Sequence, residues 1–350
     1  MAESEVPRPP RRPRYSGKNP RRFEDRYKEQ HPERYAGDVA KVLASGKTPA
    51  GSHRPIMVQE ILDALKPQPG ETAVDCTLGY GGHTRTLLEA LAPDGRVIGF
   101  DVDPIELPRT VDRLRKAGYG EDRLIPVRSN FAGLAHHLPA IAPEGVDLVL
   151  ADLGVSSMQL DNPARGFTFK EDGPLDMRMN PEKGRPASEF LSTQDLDSLT
   201  ALLKEAADEP HARRLADLIL KKHQSSPLKT TTALAETIRT AEFMQRLERE
   251  DVELTVRRVF QAIRIAVNEE FVVLDAFLNQ LPWCLKPGGR VAILTFHSGE
   301  DRRVKAHFKQ GLHAGWYAAI SENVIRAGGQ ERRENPRSVS AKLRWAIRSE

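Results

Sequence analysis

Three glycines fall within four positions of the stretch Asp75–Ala90, "DCTLGYGGHTRTLLEA". The apolar residues before them predict a buried strand, "TAVDCTL", and the residues after them predict a helix, "HTRTLLEALA". A glycine-rich turn from a strand into a helix brings backbone N–H groups and the positive helix end against a ligand. The stretch therefore predicts a ligand-binding loop after the first strand of a sheet.

The neighbouring segments repeat this alternation of strand and helix. Three more strands are predicted by "GRVIGFDVDP", "RLIPVRSNF" and "GVDLVLADLG", with helical segments between them. Such alternation favours an α/β fold with a parallel sheet covered on both faces. From about Pro163 to Val256 the pattern is charged and helical throughout. We therefore predict a sheet domain of residues 51–162 and 257–350, interrupted by an all-helical insertion of residues 163–256.

The excess positive charge lies in an N-terminal arm of residues 1–50. The arm has twelve Lys/Arg and seven Asp/Glu, whereas the whole chain has a net charge of +3. It is rich in Pro and Arg without apolar periodicity, so we expect it to be extended or disordered on its own. A nucleic-acid contact and a solvated tail are equally open interpretations.

The remaining features of the composition predict a soluble, cytoplasmic protein. There is no apolar run of transmembrane length and no secretory signal, so we expect no membrane partner. The two cysteines, Cys76 and Cys284, lie in apolar stretches. We expect both to be buried free thiols in a reducing compartment.

The glycine loop itself leaves its ligand open. A phosphate-binding P-loop is nearly excluded, because Gly82-His83-Thr84 lacks the lysine of that motif. A dinucleotide fingerprint fits Gly79 and Gly81 but has Thr84 at its third glycine. S-adenosylmethionine, which has no pyrophosphate, also fits, as does a purely structural turn. Asp101 at the end of the second strand could accept both ribose hydroxyls of either nucleoside cofactor.

A second carboxylate, Asp152, ends the fourth predicted strand. In an open parallel sheet, ligands bind beyond the carboxyl ends of the strands. We therefore expect Asp101 and Asp152 to face the same crevice as the loop Gly79–His83. These carboxylates lack Cys/His ligand spacing, so no metal is predicted. His83 taken alone is more typical of a helix cap or a core residue.

A longer run carries a family resemblance, namely "DLGVSSMQLDNPARGFTFKEDGPLDMRMNP". It closely resembles the bacterial 16S ribosomal RNA cytosine-N4 methyltransferases, the RsmH or MraW family. Similar blocks extend from about Arg54 to Arg344, including "FQAIRIAVNEE" and "LKPGGRVAILTFHS", with the basic arm outside. The resemblance implies a class I, Rossmann-like methyltransferase fold with a helical insertion. It also implies S-adenosylmethionine-dependent N4-methylation of cytidine 1402 in the decoding centre of the small-subunit 16S rRNA.

The resemblance further implies a set of cofactor contacts. They are Gly81, Gly82 and His83 at the methionine end, Asp101 at the ribose, Phe131 by the adenine, and Asp152 and Gln159 completing the pocket. A cytosine amine is a poor nucleophile because its lone pair is delocalised, so acceptors on its N–H groups would help it attack. By position we expect Asp152, Ser156 or Ser157 beside the amine. A cofactor-only role for Asp152 stays open.

RNA contact is expected on the insertion and its borders. The candidate RNA-binding residues are Arg165, Arg178, Arg213, Arg214, Arg257 and Arg258. A solvated charged face is the alternative for the helical group. Phe167 and Phe169 could stack on a base, although packing is favoured slightly.

Some positions depart from the family pattern. Gly299 stands where the family usually has Leu, Val339 replaces an Arg, and Gly311–Glu334 is unlike the family. These departures concern the RNA-facing details more than the cofactor. An RNA-binding assembly factor without turnover, and a methyltransferase for DNA or protein, are the alternatives; an oxidoreductase is the weakest. A homodimer is left open.

Overall fold

A seven-stranded sheet organises residues 55–350, the part of the chain that the computed structural model describes. Its strands are β1 (Thr72–Asp75), β2 (Arg96–Asp101), β3 (Leu124–Arg128), β4 (Val146–Asp152), β5 (Leu285–Thr295), β6 (Tyr317–Ile320) and β7 (Lys342–Arg348). The strand order is β3-β2-β1-β4-β5-β7-β6, parallel from β3 to β5 and antiparallel at β7 and β6. The arm predicted for residues 1–50 lies outside the described residues.

Helices connect these strands and form the insertion. They are α1 (Val58–Leu65), α2 (Gly82–Ala90), α3 (Glu106–Lys116), α4 (Leu134–Ile141), α5 (Ser157–Asp161), α6 (Ala187–Ser192), α7 (Leu196–Ala207), α8 (Ala212–Ser225), α9 (Thr231–Arg239), α10 (Arg249–Val267), α11 (Glu270–Cys284), α12 (Ser298–His313) and α13 (Gly329–Glu334). The α/β class and the parallel sheet predicted from the sequence are confirmed. The antiparallel strands at the β6 edge were not predicted.

The strands are apolar on both faces because both faces are covered. On β2, Val97 packs in one core cluster and the next residue, Ile98, packs in another. Leu148 and Val149 of β4 divide in the same way. Since successive side chains of a strand point to opposite faces, the sheet is buried between two layers. Within residues 55–350, the ends of the strands are therefore where we expect the sheet to meet a ligand.

The insertion has a core of its own. Leu203, Leu215 and Val259 are fully buried in a cluster contributed by α6 to α10. The domain boundary predicted at 256/257 falls inside α10, so we propose that the helical insertion continues to the end of that helix at Val267. Phe167 is buried, and Phe169 packs edge-to-face on Phe260 with ring centroids 4.8 Å apart.

The two cysteines agree with the prediction from their apolar surroundings. Cys76 and Cys284 are buried free thiols, as predicted, and burial raises the pKa of Cys284 to about 11. Within residues 55–350, no helix is long and apolar enough to cross a membrane.

Gly299, one of the departures from the family pattern, has a steric explanation. A Cβ atom built on Gly299 would lie 2.6 Å from Cζ of Phe271. The Phe271 ring is held there by the guanidinium of Arg303, whose Cζ lies 4.0 Å from the ring centroid. Phe271 thus fills the space that a side chain at position 299 would need.

Replacing Gly299 by alanine should therefore destabilise the protein by about 1–3 kcal/mol, because overpacking forces the ring or the helix to move. Denaturant unfolding measures this. The matched control is Gly328→Ala, where the added Cβ meets nothing within 4 Å. Adding Phe271→Leu should recover part of the loss in the Gly299→Ala background. Equal stability of the two alanine variants would contradict this explanation.

Candidate active site

The carboxyl ends of β1, β2 and β4 meet at one edge of the sheet. Strand β1 pairs with β2 on one side and with β4 on the other. After β1, β2 and β3 extend the sheet in one direction, and β4 then extends it in the opposite direction. Such a switch point is where open α/β sheets bind ligands. The glycine loop follows β1 directly and leads into α2 at Gly82. The expected crevice is thus formed by the expected segments.

Two glycines of this loop are required by conformation. Gly79 and Gly81 have φ values of +47° and +81°, which other residues adopt only with strain. A Cβ at Gly81 would also lie 2.9 Å from Cγ2 of Thr110 on α3. Thr110 Oγ1 donates to the carbonyl oxygen of Gly79 at 2.5 Å. The loop backbone is therefore packed closely on α3.

Asp75 anchors both ends of the loop from beneath. Its Oδ2 accepts from Thr84 Oγ1 at 2.6 Å, and its Oδ1 accepts from the Thr77 N–H at 3.0 Å. Burial raises the pKa of Asp75, and these hydrogen bonds oppose the rise. The carboxylate thereby joins the end of β1 to the first turn of α2.

Asp101 lies directly across from the loop. Its Oδ2 accepts from the Gly79 N–H at 2.8 Å and its Oδ1 from the Asp103 N–H at 2.9 Å. Burial raises the pKa of Asp101 to about 6 against those two hydrogen bonds, and the charges of Asp103 and Asp75 add to the rise. Each carboxylate oxygen has two lone pairs, so both can accept a further hydroxyl.

His83 and Asp152 form a partly unsatisfied pair at the mouth of the loop. His83 Nε2 lies 3.4 Å from Asp152 Oδ2, yet neither His83 Nε2 nor Asp152 Oδ1 has a hydrogen-bond partner among the described residues. Burial alone would lower the pKa of His83, but the Asp152 carboxylate, with Asp75 and Glu331, raises it overall. Buried polar atoms without partners are uncommon in native proteins, so these two indicate a place for a ligand.

Gln159 and Arg165 converge on one buried carboxylate. Gln159 Nε2 and Arg165 Nη1 donate to Asp103 Oδ2 at 2.8 and 2.7 Å. Arg165 Nη2 also donates to the carbonyl oxygens of Arg178 and Met179, at 3.2 and 2.8 Å. Only 9% of the Arg165 side chain is exposed. This arginine was expected to bind RNA, but its guanidinium is turned inward and we propose a structural role instead.

The two serines after β4 have different partners. Ser156 caps α5, because its Oγ accepts from the Gln159 N–H at 3.2 Å and its own N–H donates to Gln159 Oε1 at 3.0 Å. Ser157 Oγ accepts a hydrogen bond from Arg337 Nη1. Arg337 Nη2 also donates to both carboxylate oxygens of Asp161 at 3.1 Å. Sequence reasoning missed Arg337, although it lies in the family-like block "NPRS".

Phe131 lies at the start of the short helix after β3 and packs edge-to-face on Phe277, with centroids 5.2 Å apart. It is only partly buried. One side of the ring therefore packs against the core.

The arginines expected to bind RNA differ in their exposure and in their acidic partners. Arg178 makes two hydrogen bonds to Asp176, at 2.8 and 2.7 Å, and Arg258 lies 3.7 Å from the buried Glu209. Arg213 is exposed and pairs loosely with Asp197 at 3.1 Å. Arg214 and Arg257 are exposed. The exposed members lie on α8 and α10 of the insertion.

A further polar cluster follows β5. Glu270, His297 and Glu300 place one ligand-type atom each within 4.8 Å of one another. Arg264 donates to both oxygens of Glu270, at 2.8 and 2.9 Å. A guanidinium thus already balances this carboxylate, and we assign no metal here.

Comparison with known proteins places these features in a family. A profile of the MraW methylase family matches residues 50–349. The "Ribosomal RNA small subunit methyltransferase H 1" of Agathobacter rectalis is 48% identical over 343 residues, covering 97% of this chain and 98% of its own length. The "Ribosomal RNA small subunit methyltransferase H 2" of Alkaliphilus metalliredigens is 47% identical over 342 residues, covering 97% of each chain.

These alignments also correct one expectation. Coverage of 97% leaves only about ten residues of this chain unmatched, so most of the basic arm is aligned with these relatives. The arm was expected to lie outside the resemblance. The family profile, which begins at residue 50, agrees with this, whereas the alignments with these two relatives extend into the arm and contradict it. Among solved structures, a provisionally assigned rRNA methylase from Clostridium thermocellum is 12% identical, with a TM-score of 0.41 over 85% of this chain and 99% of its own.

The chain therefore belongs to the MraW methylase family.

Proposed function

We propose that this protein methylates N4 of cytidine 1402 in the decoding centre of 16S rRNA, in the cytoplasm. Its family makes it a methylase, and the relatives named as ribosomal RNA small subunit methyltransferases support rRNA as the substrate. One observation carries the proposal for the chemistry. Asp152 presents an acceptor oxygen that has no hydrogen-bond partner in the described part of the chain, beside the cofactor loop, where a substrate amine would need one.

The methyl donor is S-adenosylmethionine, whose sulfonium supplies the methyl group. The residues present fit it. Gly79 and Gly81 allow the positive φ values of the loop, His83 Nε2 lacks a hydrogen-bond partner within residues 55–350, and the Asp101 carboxylate has lone pairs for the ribose hydroxyls. Phe131 would lie against the adenine. We propose Gln159 as a residue that acts on this pocket through Asp103, in addition to any direct contact.

Asp152 is proposed to accept an N–H of the substrate amine. Withdrawal of that hydrogen towards the carboxylate favours a pyramidal nitrogen, whose lone pair is then free to attack. About a quarter of its side chain is exposed, 28%, so it is reachable from the crevice. His83 Nε2 lies 3.4 Å from its other oxygen, so the two side chains face the same space. A strong base is not needed, because the proton can leave after attack.

Ser157 is proposed as a second neighbour of the amine. The Arg337 guanidinium takes one lone pair of its hydroxyl oxygen and so fixes where the other lone pair points. Ser156 is better suited to shape the turn, because its Oγ caps α5. Holding the reacting groups in one geometry can supply several kcal/mol of the barrier reduction.

The RNA is proposed to lie along the insertion and to present the target base flipped or from an irregular strand. Arg213, Arg214 and Arg257 remain the candidates there, because they are exposed. Arg178 and Arg258, which hold acidic partners, would contribute mainly by shaping that surface.

The test is methyl transfer from labelled S-adenosylmethionine to small subunits from a strain that lacks this protein. The modified nucleoside is identified by mass and its position by fragment mapping. We expect N4-methylcytidine in the decoding-centre fragment. A different nucleoside or fragment would refute the proposed target, and transfer to neither subunits nor naked RNA, with cofactor binding intact, would favour a binding-only assembly factor.

Replacing Asp152 by asparagine should lower kcat by about 100-fold or more, because the charged acceptor for the amine is lost. Single-turnover methylation at saturating cofactor and RNA measures it. The control is Asp147→Asn, at the opposite end of the same strand, where the carboxylate pairs with Lys286 at 3.1 Å. If Asp152→Asn raises only the Kd for the cofactor and leaves kcat intact, Asp152 is a cofactor contact alone.

Affinity for S-adenosylmethionine should fall as the pH drops through about 6. Above its pKa of about 6 the Asp101 carboxylate is ionised and accepts the ribose hydroxyls; below it the group is protonated and loses an acceptor. Asp103, Asp75 and the N–H of Gly79 are the groups that face it. Calorimetric titration from pH 5 to 8 measures the Kd.

Asp101→Asn should bind the cofactor at least about tenfold more weakly at pH 8, since one charge-assisted hydrogen bond contributes about 1.5–3 kcal/mol. Its Kd should also lose most of the pH dependence. Asp112→Asn, on the exposed side of α3, is the control and should behave as the unmodified protein. A pH profile that stays the same in Asp101→Asn would assign the titration to another group.

A further inference from the structure

The segment between β6 and β7 carries arginines that the proposed chemistry does not use. Arg326, Arg332 and Arg333, here called the arginine rim, are exposed. None of the three forms an ion pair with another residue of 55–350. Two acidic residues lie beside them: Glu331, which accepts from the Met57 N–H at 2.8 Å, and Glu334, which accepts from Gln330 at 2.9 Å. With three arginines and two glutamates, residues 326–334 carry a net charge of +1.

The segment is held against the active site at both of its ends. On one side, Glu331 contacts the backbone just before α1, and its charge acts on His83 of the cofactor loop. On the other side, Arg337 donates to Ser157 and Asp161 of α5. Ala327 and Ser338 are buried, which anchors the segment further. The arginine rim thus lies beside both the cofactor loop and the proposed amine-binding turn.

We propose that the arginine rim binds phosphates of the RNA strand next to the target nucleotide. The proposal rests on the proposed function, because it takes RNA as the substrate. Guanidinium groups suit phosphate oxygens in charge and geometry. A simple solvated surface would not require a segment fixed on both sides of the cleft. RNA would accordingly be held on two sides, by the insertion and by the arginine rim.

The test compares two triple variants of the full-length chain. Arg326→Gln, Arg332→Gln and Arg333→Gln together remove the charge of the arginine rim. The control, Arg85→Gln, Lys116→Gln and Arg246→Gln, removes three exposed charges that already pair with an acidic residue four positions away in the chain. RNA affinity is measured by filter binding at several salt concentrations, with a decoding-centre RNA fragment as the probe.

We expect the arginine-rim variant to raise the RNA Kd and the KM for RNA by about tenfold or more at moderate salt. The slope of log affinity against log salt should fall by about 2, since each phosphate contact on a single strand contributes about 0.7. The Kd for S-adenosylmethionine and kcat at saturating RNA should stay unchanged. The control variant should keep the full slope.

Unchanged RNA affinity and slope in a variant of normal stability would overturn the proposal, as would a selective loss of binding to a ribosomal protein. A triple lysine variant separates charge from folding, because it keeps the positive charges and should keep the slope. If the lysine variant fails in the same way as the glutamine variant, the arginines are structural and the proposal is wrong. If the unmodified protein methylates no cytidine but the arginine-rim variant still loses RNA affinity, only the proposed function fails.

Discussion

The buried carboxylate of Asp103 joins the two halves of the active site. Its Oδ1 accepts from the N–H groups of Ile105 and Glu106, and its Oδ2 accepts from Gln159 and Arg165. The backbone N–H of Asp103 donates to the Asp101 carboxylate and fixes its orientation. Removing one partner of a buried charge pair typically costs about 3–5 kcal/mol. The cofactor side and the start of the insertion are therefore held in one arrangement by a single group.

This dependence explains which site residues the sequence could predict. The loop glycines, Asp101 and Asp152 follow strands whose apolar pattern is local, and parallel strands bring their carboxyl ends to one edge. Arg165 could not be placed in the same way. An arginine beside a glycine has the same local pattern whether it faces RNA or a buried carboxylate, and only the distant Asp103 decides between them. The β6 strand is similar, since its four residues are too few to show an alternating pattern.

The two serines after β4 also show that sequence cannot predict a role that depends on a distant residue. The spacing of Ser156 and Gln159 is that of a capping box, so the cap was readable from the sequence. Ser157, one residue further, is set by Arg337, which is 180 residues away in the chain. Neighbouring residues of identical type thus receive different roles from contacts at different sequence distances. A motif can name both serines as candidates but cannot separate them.

The placement of charge, rather than its sum, reconciles the acidic site with an RNA substrate. Residues 51–350 carry a net charge of −2, which by itself would repel a phosphate backbone. The carboxylates of Asp75, Asp101 and Asp103, however, are directed into the protein, where their oxygens accept hydrogen bonds from other residues of the chain. Exposed arginines lie on the insertion and on the arginine rim, and we propose that both groups face the RNA. Because solvent screens charges beyond about 10 Å at 0.1 M salt, a strand at the mouth would be governed by those nearby arginines more than by the net charge.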